Sequence, residues 1–183
     1  STELRLESDR AARFRYMVGA YYYESRRSLE ERHFAIAPTV FSGETRVDNV
    51  ALFGSIGFDF TDRWEATAEL RYAEDTVGNY NAIARPTGPL IENTFDSVSP
   101  RVTTTFKFTP ENMIYANVAK SNKPGVINPD PRFPPEVRFA NEEESWNYEV
   151  GTKNRLFDGR VMANLALYYI DWKDQQITTA FTF

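Results

Sequence analysis

The sequence predicts an all-β fold, an antiparallel meander of about eight long strands with the pattern of a transmembrane β-barrel. Three observations carry this reading. Polar and apolar residues alternate over runs longer than an ordinary strand, the connections between runs fall into a short and a long class, and aromatic residues collect near the ends of the runs. The clearest run is Arg63 to Ala73, where Trp64, Ala66, Ala68, Leu70 and Tyr72 alternate one by one with Arg63, Glu65, Thr67, Glu69 and Arg71. A strand sends successive side chains to opposite faces, so this run has one apolar and one charged face. Ordinary strands run about 5–6 residues. A strand that crosses a bilayer needs about 9–11, tilted, with an apolar outer face and a polar interior.

The elements follow in order. Thr2 to Glu7 is closed by the turn residues Ser8-Asp9-Arg10, and the next run extends from Arg13 to Glu24. In the run from Val47 to Phe60, Val50, Leu52, Ile56, Phe58 and Phe60 share one face while Asn49, Ser55 and Asp59 lie opposite. Thr61-Asp62 makes a hairpin-sized turn into the run from Arg63 to Asp75. From Phe95 to Phe108, Val98, Val102, Phe106 and Phe108 face away from Ser97, Ser99, Arg101, Thr103, Thr105 and Lys107. Thr109-Pro110-Glu111-Asn112 turns the chain into Met113 to Ser121. Ser145 to Phe157 is joined by Phe157-Asp158-Gly159-Arg160 to Val161 to Asp174, where Val161, Ala163, Leu165, Leu167 and Tyr169 share a face. The opposite face of that last run is mixed, with Asn164 beside Met162, Tyr168 and Ile170.

Long connections separate the hairpins, at about 26–46, 77–93 and 122–142, and they hold most of the prolines, among them Pro86, Pro89, Pro124, Pro129, Pro131, Pro134 and Pro135. Tight turns at one end and long loops at the other are the arrangement of outer-membrane barrels. Phe58, Phe60, Trp64, Phe106, Phe108 and Phe157 flank the tight turns; Tyr21, Tyr22, Tyr23, Tyr72, Trp146, Tyr148, Tyr168, Tyr169 and Trp172 lie toward the long loops. Two aromatic girdles at headgroup level are expected from them. A soluble sandwich with an aromatic core uses the same alternation, but strands this long are uncommon there.

Composition agrees. The 183 residues suffice for one domain, and 42% hydrophobic with 15% aromatic residues gives a mean hydropathy of only −0.51, because each apolar residue is averaged against a polar neighbour. No stretch approaches the roughly 20 apolar residues of a membrane helix, and STELRLESDR lacks the basic and apolar regions of a signal peptide, so a mature, processed or truncated start is expected. A net charge of −5 with acids and bases interspersed disfavours nucleic acid as a partner. No cysteine and a single histidine, His33, leave no disulfide framework, no thiolate cluster and no expected metal site. Enzymatic readings fare poorly. Glu142-Glu143-Glu144 reads as a solvated loop end, Ser99 has no histidine to activate it, and no phosphate loop, nucleophile elbow or metal-binding helix is present. No cofactor is expected.

A set of short motifs then points to a family. Ser99-Pro100-Arg101, Asn112 to Lys120 (NMIYANVAK), Lys123-Pro124-Gly125, Trp146 to Lys153 (WNYEVGTK) and Leu167 to Trp172 (LYYIDW) resemble, in order and spacing, the barrel of TonB-dependent outer-membrane receptors. Glu3 to Ser8 followed by Phe14 to Tyr23 is similar to a hairpin of the same barrels, so the resemblance covers nearly the whole chain. One departure is Ser121-Asn122, where many members have a glycine and an aromatic before Lys-Pro-Gly; it bears on ligand preference rather than fold. The resemblance implies a barrel of twenty-two strands filled by an N-terminal plug. Residues 1–183 would then be a partial barrel domain without plug or recognisable TonB box, and Phe183 an interior point of a longer chain. It implies an active transporter in the outer membrane of a Gram-negative bacterium, energised through TonB, for a ferric siderophore or similar scarce nutrient. Its partners would be outer-membrane lipid, its own plug, the remaining strands, the TonB complex and an iron chelate.

On that reading the lumen and plug-facing residues are Arg63, Glu65, Thr67, Glu69, Arg71, Arg101, Lys107, Glu149, Lys153 and Arg155, with alternating signs that can pair. The lipid-facing set is Trp64, Ala66, Ala68, Leu70, Tyr72, Val102, Phe106, Val150, Leu165 and Leu167. Ligand capture falls to Tyr80, Arg85, Arg132, Phe133, Arg138 and Phe139 in the long loops, since guanidinium pairs with chelator oxygens and rings stack on planar groups. Two alternatives stay open: a complete eight-stranded outer-membrane barrel of structural or adhesive role, and a soluble ligand-binding sandwich.

Overall fold

The computed structural model describes residues 1–33, 39–80, 90–128 and 134–177. The strands are β1 (Thr2–Glu7), β2 (Phe14–His33), β3 (Thr39–Thr61), β4 (Trp64–Tyr80), β5 (Leu90–Thr109), β6 (Asn112–Lys123), β7 (Val126–Ile127), β8 (Phe139–Ala140), β9 (Glu143–Leu156) and β10 (Val161–Lys173), with a 3-10 turn at Pro135–Val137. One antiparallel sheet of eight strands runs β1-β2-β3-β4-β5-β6-β9-β10, and β7 and β8 form a separate two-stranded hairpin. The eight expected strands are all present. Among the described residues the second sheet is only the two-residue strands of β7 and β8, so the architecture is not a sandwich.

The tight turns form for the reasons the sequence suggests. Asp9 Oδ1 accepts the Ala11 amide at 2.9 Å, and Thr61 Oγ1 accepts the amides of Arg63 and Trp64 at 3.2 and 3.1 Å. Between β9 and β10, Asp158 (φ 56) and Gly159 (φ 79) occupy the left-handed region, and the Arg160 amide closes the turn on the Phe157 carbonyl at 3.2 Å. Both central residues of a type I′ turn need that conformation, which explains the Asp-Gly pair.

The long connections differ from expectation. Pairing of β2 with β3 continues to His33 opposite Thr39, and β4 pairs with β5 up to Tyr80 opposite Leu90. Residues 26–33, 39–46, 77–80 and 90–93 are therefore strand, held by a backbone ladder that side-chain polarity does not end. Pro100 has the opposite effect. β5 pairs with β6 only from Arg101 opposite Ala119 to Thr109, so the ladder stops at the residue that lacks an N–H. The Asn122 side chain fills the gap, donating to the Val98 carbonyl at 3.1 Å and to Ser99 Oγ at 3.0 Å.

Candidate functional site

The register turns a one-strand pattern into two continuous faces. Phe14, Phe58, Ala66 and Thr104 lie in one row across β2 to β5; Tyr16, Ile56, Ala68 and Val102 in the next; Val18, Gly54, Leu70 and Pro100 above; then Ala20, Leu52, Tyr72 and Val98. Ala116 and Val118 of β6 extend the first two rows to Val150 and Tyr148 of β9 and on to Leu167 and Tyr169 of β10, and Ile114 carries the adjoining Trp64–Phe106 row to Thr152 and Leu165. This apolar face is open: Leu70 is 53% and Leu167 64% exposed. At its tight-turn end Phe60 stacks on Trp64 at 4.5 Å and Phe106 meets Phe108 edge-on at 5.3 Å.

The opposite face carries Glu65, Thr67, Glu69, Arg71, Arg101, Lys107, Glu149, Lys153 and Arg155, with Arg63 in the turn leading into it. Glu65 lies within 4 Å of both Arg15 and Lys107, and Glu69 within 3.4 Å of Arg101. Arg15 makes a bidentate pair with Asp59, both bonds 2.6 Å. Half-exposed pairs of this kind add little net stability, so they satisfy the charged face rather than hold the sheet. The Tyr115 ring lies flat across Gly151, its hydroxyl donating to Glu149 Oε1 at 2.6 Å and the Lys153 ammonium 5.5 Å above its centre. Phe53 lies in the same way across Gly19. A Cβ at either glycine would sit within about 2.6 Å of the ring, so glycine is what lets each ring lie down.

Alternation also sorts the aromatics, and here the girdle expectation needs correction. Tyr22, Tyr72, Trp146, Tyr148 and Tyr169 are on the apolar face, whereas Tyr21, Tyr23, Tyr168 and Trp172 are on the polar one. Consecutive tyrosines must split between faces, whatever their number.

At the long-loop end the polar face turns apolar. Ala51 packs against Ala73, both buried, and Val77 is buried beyond Asp75 on the same face of β4. The β7–β8 hairpin folds over this patch: Ile127 is 5% exposed, its carbonyl accepts Asn79 Nδ2 at 2.9 Å, and Gly125 abuts the Phe95 ring. Beside the hairpin, Asn49 donates to Asp75 at 2.7 Å and accepts from Arg71 at 3.0 Å, while the Arg71 guanidinium stands 5.4 Å over the Tyr21 ring. Sequence reading missed this assembly. Its signals were the apolar pair Val126-Ile127 inside a polar loop and the apolar residues Ala73 and Val77 on the polar face.

The six loop candidates are not gathered into one site. Arg85, Arg132 and Phe133 lie outside the described residues, as does Phe183. Tyr80 follows Leu70 and Tyr72 on the apolar-face side, beneath the Arg46 guanidinium at 5.2 Å. Arg138 and Phe139 belong to the hairpin, where the Arg138 carbonyl accepts the Asn128 amide at 2.7 Å and Phe139 pairs with Ile127. Among the described residues no three His, Cys, Asp or Glu side chains are grouped to hold a metal, and no helix is long and apolar enough to cross a membrane.

Known proteins share this arrangement. Residues 2–182 match the family model of the TonB dependent receptor-like β-barrel. The chain belongs to that family. It is 26% identical over 181 residues to the pesticin receptor of Yersinia pestis, covering 96% of this chain and 27% of that protein. It is 29% identical over 139 residues to the metal-pseudopaline receptor CntO of Pseudomonas aeruginosa, covering 73% of this chain and 18% of that one. The crystal structure of the ferric yersiniabactin uptake receptor FyuA from Yersinia pestis superposes with a TM-score of 0.78 at 24% identity, over 97% of this chain and 29% of that one. The chain thus spans about a quarter of the length of these relatives. The sheet is part of a TonB-dependent receptor barrel, in the outer membrane of a Gram-negative bacterium, and family members are receptors rather than enzymes.

Proposed function

We propose that this chain is part of the barrel wall of an active transporter that takes up a ferric siderophore or a similar scarce nutrient, energised through TonB. One observation carries the reading: an open apolar face stays in register across eight strands, opposite a polar face whose charges lie mainly on β4, β5 and β9. Leu70, Val102, Val150, Leu165 and Leu167 then face lipid with Ala66 and Ala68, while Trp64, Phe106 and Tyr72 anchor its borders. Glu65, Thr67, Glu69, Arg71, Arg101, Lys107, Glu149, Lys153 and Arg155, with Arg63, line the lumen against a plug carried elsewhere in the whole protein. The relatives' names support the ligand class: one takes up ferric yersiniabactin and another is a metal-pseudopaline receptor.

A closed eight-stranded barrel would pair β1 with β10, and in the described sheet β1 pairs only with β2 and β10 only with β9. Backbone groups on those two edges need partners in hydrocarbon, which further strands supply. The test is uptake of radiolabelled ferric chelates by iron-starved cells. Uptake is expected to vanish on deleting the full-length gene and on deleting TonB. Uptake indifferent to either deletion, across catecholate, phenolate and carboxylate chelates, sinks the reading.

A further inference from the structure

Six consecutive strands, β1 to β6, contribute to the lining of one pocket of about 540 Å³ on the polar face. The charged residues around it are Glu3, Arg5, Glu69, Arg71, Arg101 and Lys120. Three of the four cations are each held by a carboxylate: Arg5 by Glu3, Arg101 by Glu69 at 3.4 Å and Lys120 by Glu144 at 2.6 Å. Arg71 is the exception. It forms no ion pair among the described residues, and its partners there are neutral: Nη2 donates to Asn49 Oδ1 at 3.0 Å, and the guanidinium stands 5.4 Å over the Tyr21 ring. Asp75 reaches it only through the amide of Asn49, whose Nδ2 donates to Asp75 Oδ1 at 2.7 Å.

The result is a half-buried arginine that is positioned but not neutralised. Asn49 is 9% exposed, so the oxygen that receives Nη2 is fixed by burial and by Asp75, and the Tyr21 ring holds the guanidinium from one side. A guanidinium carries five N–H donors in a rigid fork that matches a carboxylate, and taking one out of water without a counter-charge is costly. With one donor spent on Asn49, the fork keeps enough for both oxygens of a carboxylate. Ser99, opposite Arg71 in the ladder and also in the pocket lining, accepts from Asn122 and keeps its own proton to donate.

We propose that the pocket is an oxyanion site, in which Arg71 receives a carboxylate that comes from outside the eight strands. Two sources supply that chemistry in a whole receptor: a carboxylate of the ferric chelate, and an Asp or Glu of the plug. That either meets the pocket in a lumen rests on the transporter reading; that the pocket takes an oxyanion rests on the setting of Arg71. The test is arginine footprinting of the purified full-length receptor in detergent micelles, with phenylglyoxal as reagent, citrate and acetate as probe anions, and modification read residue by residue by mass spectrometry. If the anion is free in solution, Arg71 is modified readily, and citrate or acetate slows it at least tenfold where chloride at the same ionic strength does not, with Arg101 unaffected. If the plug supplies it, Arg71 resists the reagent from the start, and carbodiimide treatment of the Arg71→Lys variant joins position 71 to a plug Asp or Glu through an isopeptide bond. Readily modified Arg71 that neither anion protects overturns the proposal, and so does a resistant Arg71 whose Arg71→Lys variant gives no such cross-link. None of these outcomes needs transport, so a receptor that passes this test yet imports no ferric chelate counts against the transporter reading alone.

Discussion

Gly151 shows how far one residue type is dictated by its neighbour across the ladder. An alanine there would place its Cβ 2.6 Å from the Tyr115 ring, which is held by Glu149 below its hydroxyl and Lys153 above its face. The ring would have to lift off both. Gly151→Ala in the full-length receptor is expected to cost about 1–2 kcal/mol, the worth of the bond to a charged acceptor and of crowding. In a Tyr115→Ala background the same change should become stabilising by about 0.5–1 kcal/mol, since glycine is a poor strand residue once nothing lies on it. Urea unfolding of the four combinations checks this, and additivity would show that the ring and the glycine are independent. On the other face, Leu70→Arg tests the lipid assignment. It should lose about 2–4 kcal/mol in lipid bilayers, the range for an arginine at the midplane. Unfolding free energies equal to wild type would refute the assignment of Leu70 to lipid.

At the scale of elements, the ends of β6, β9 and β10 meet on one carboxylate. The Lys123 ammonium, the Gln176 backbone amide and the Trp172 indole hold Glu143 below the usual carboxylate range, at the long-loop end outside the proposed membrane crossing. A depressed folded pKa contributes stability that is fully present above the unfolded value near 4.5 and is lost as pH falls through the folded one. Acidification from pH 7 to below 4.5 should therefore lower the urea midpoint of wild type more than that of Glu143→Gln, which has no such proton to take up. Equal losses would show that Glu143 does not couple these strand ends. The carboxylate also marks where sequence reading stops. Glu143 sits in a run of three glutamates that reads as a solvated loop end, yet it is buried among Lys123, Trp172 and Gln176. Where side chains alternate strictly, as from Trp64 to Tyr72, the sequence alone assigns both faces. It does not do so for Tyr21-Tyr22-Tyr23 or Tyr168-Tyr169, because residue type carries no parity and only the ladder to a neighbour supplies it. It likewise misplaces the ends of β2 to β5, since backbone pairing continues through polar segments that composition marks as loop.

For the whole molecule, the determining fact is the pair of edges. β1 offers the outer N–H and C=O groups of Thr2–Glu7, and β10 those of Val161–Lys173, with no partner strand beside either in the described sheet. β10 is exposed on both faces, Leu167 at 64% on one and Tyr168 at 72% on the other. In water the apolar face has nothing to cover it; in a bilayer each open edge leaves backbone groups that lipid cannot satisfy, at several kcal/mol apiece. Residues 1–183 expressed alone should therefore fail to give a species that keeps its fold in cold SDS and shifts its migration on heating, whereas the full-length receptor in the same detergent should do both. A heat-modifiable monomer from residues 1–183 would mean that the edges close on each other or on themselves, and with it the transporter reading would lose the open wall on which it stands. A heat-modifiable oligomer would mean that copies of the sheet supply one another's missing strands edge to edge. Failure of the fragment beside success of the full chain leaves the eight strands as one continuous arc of a larger barrel, stable only when the remaining strands close it.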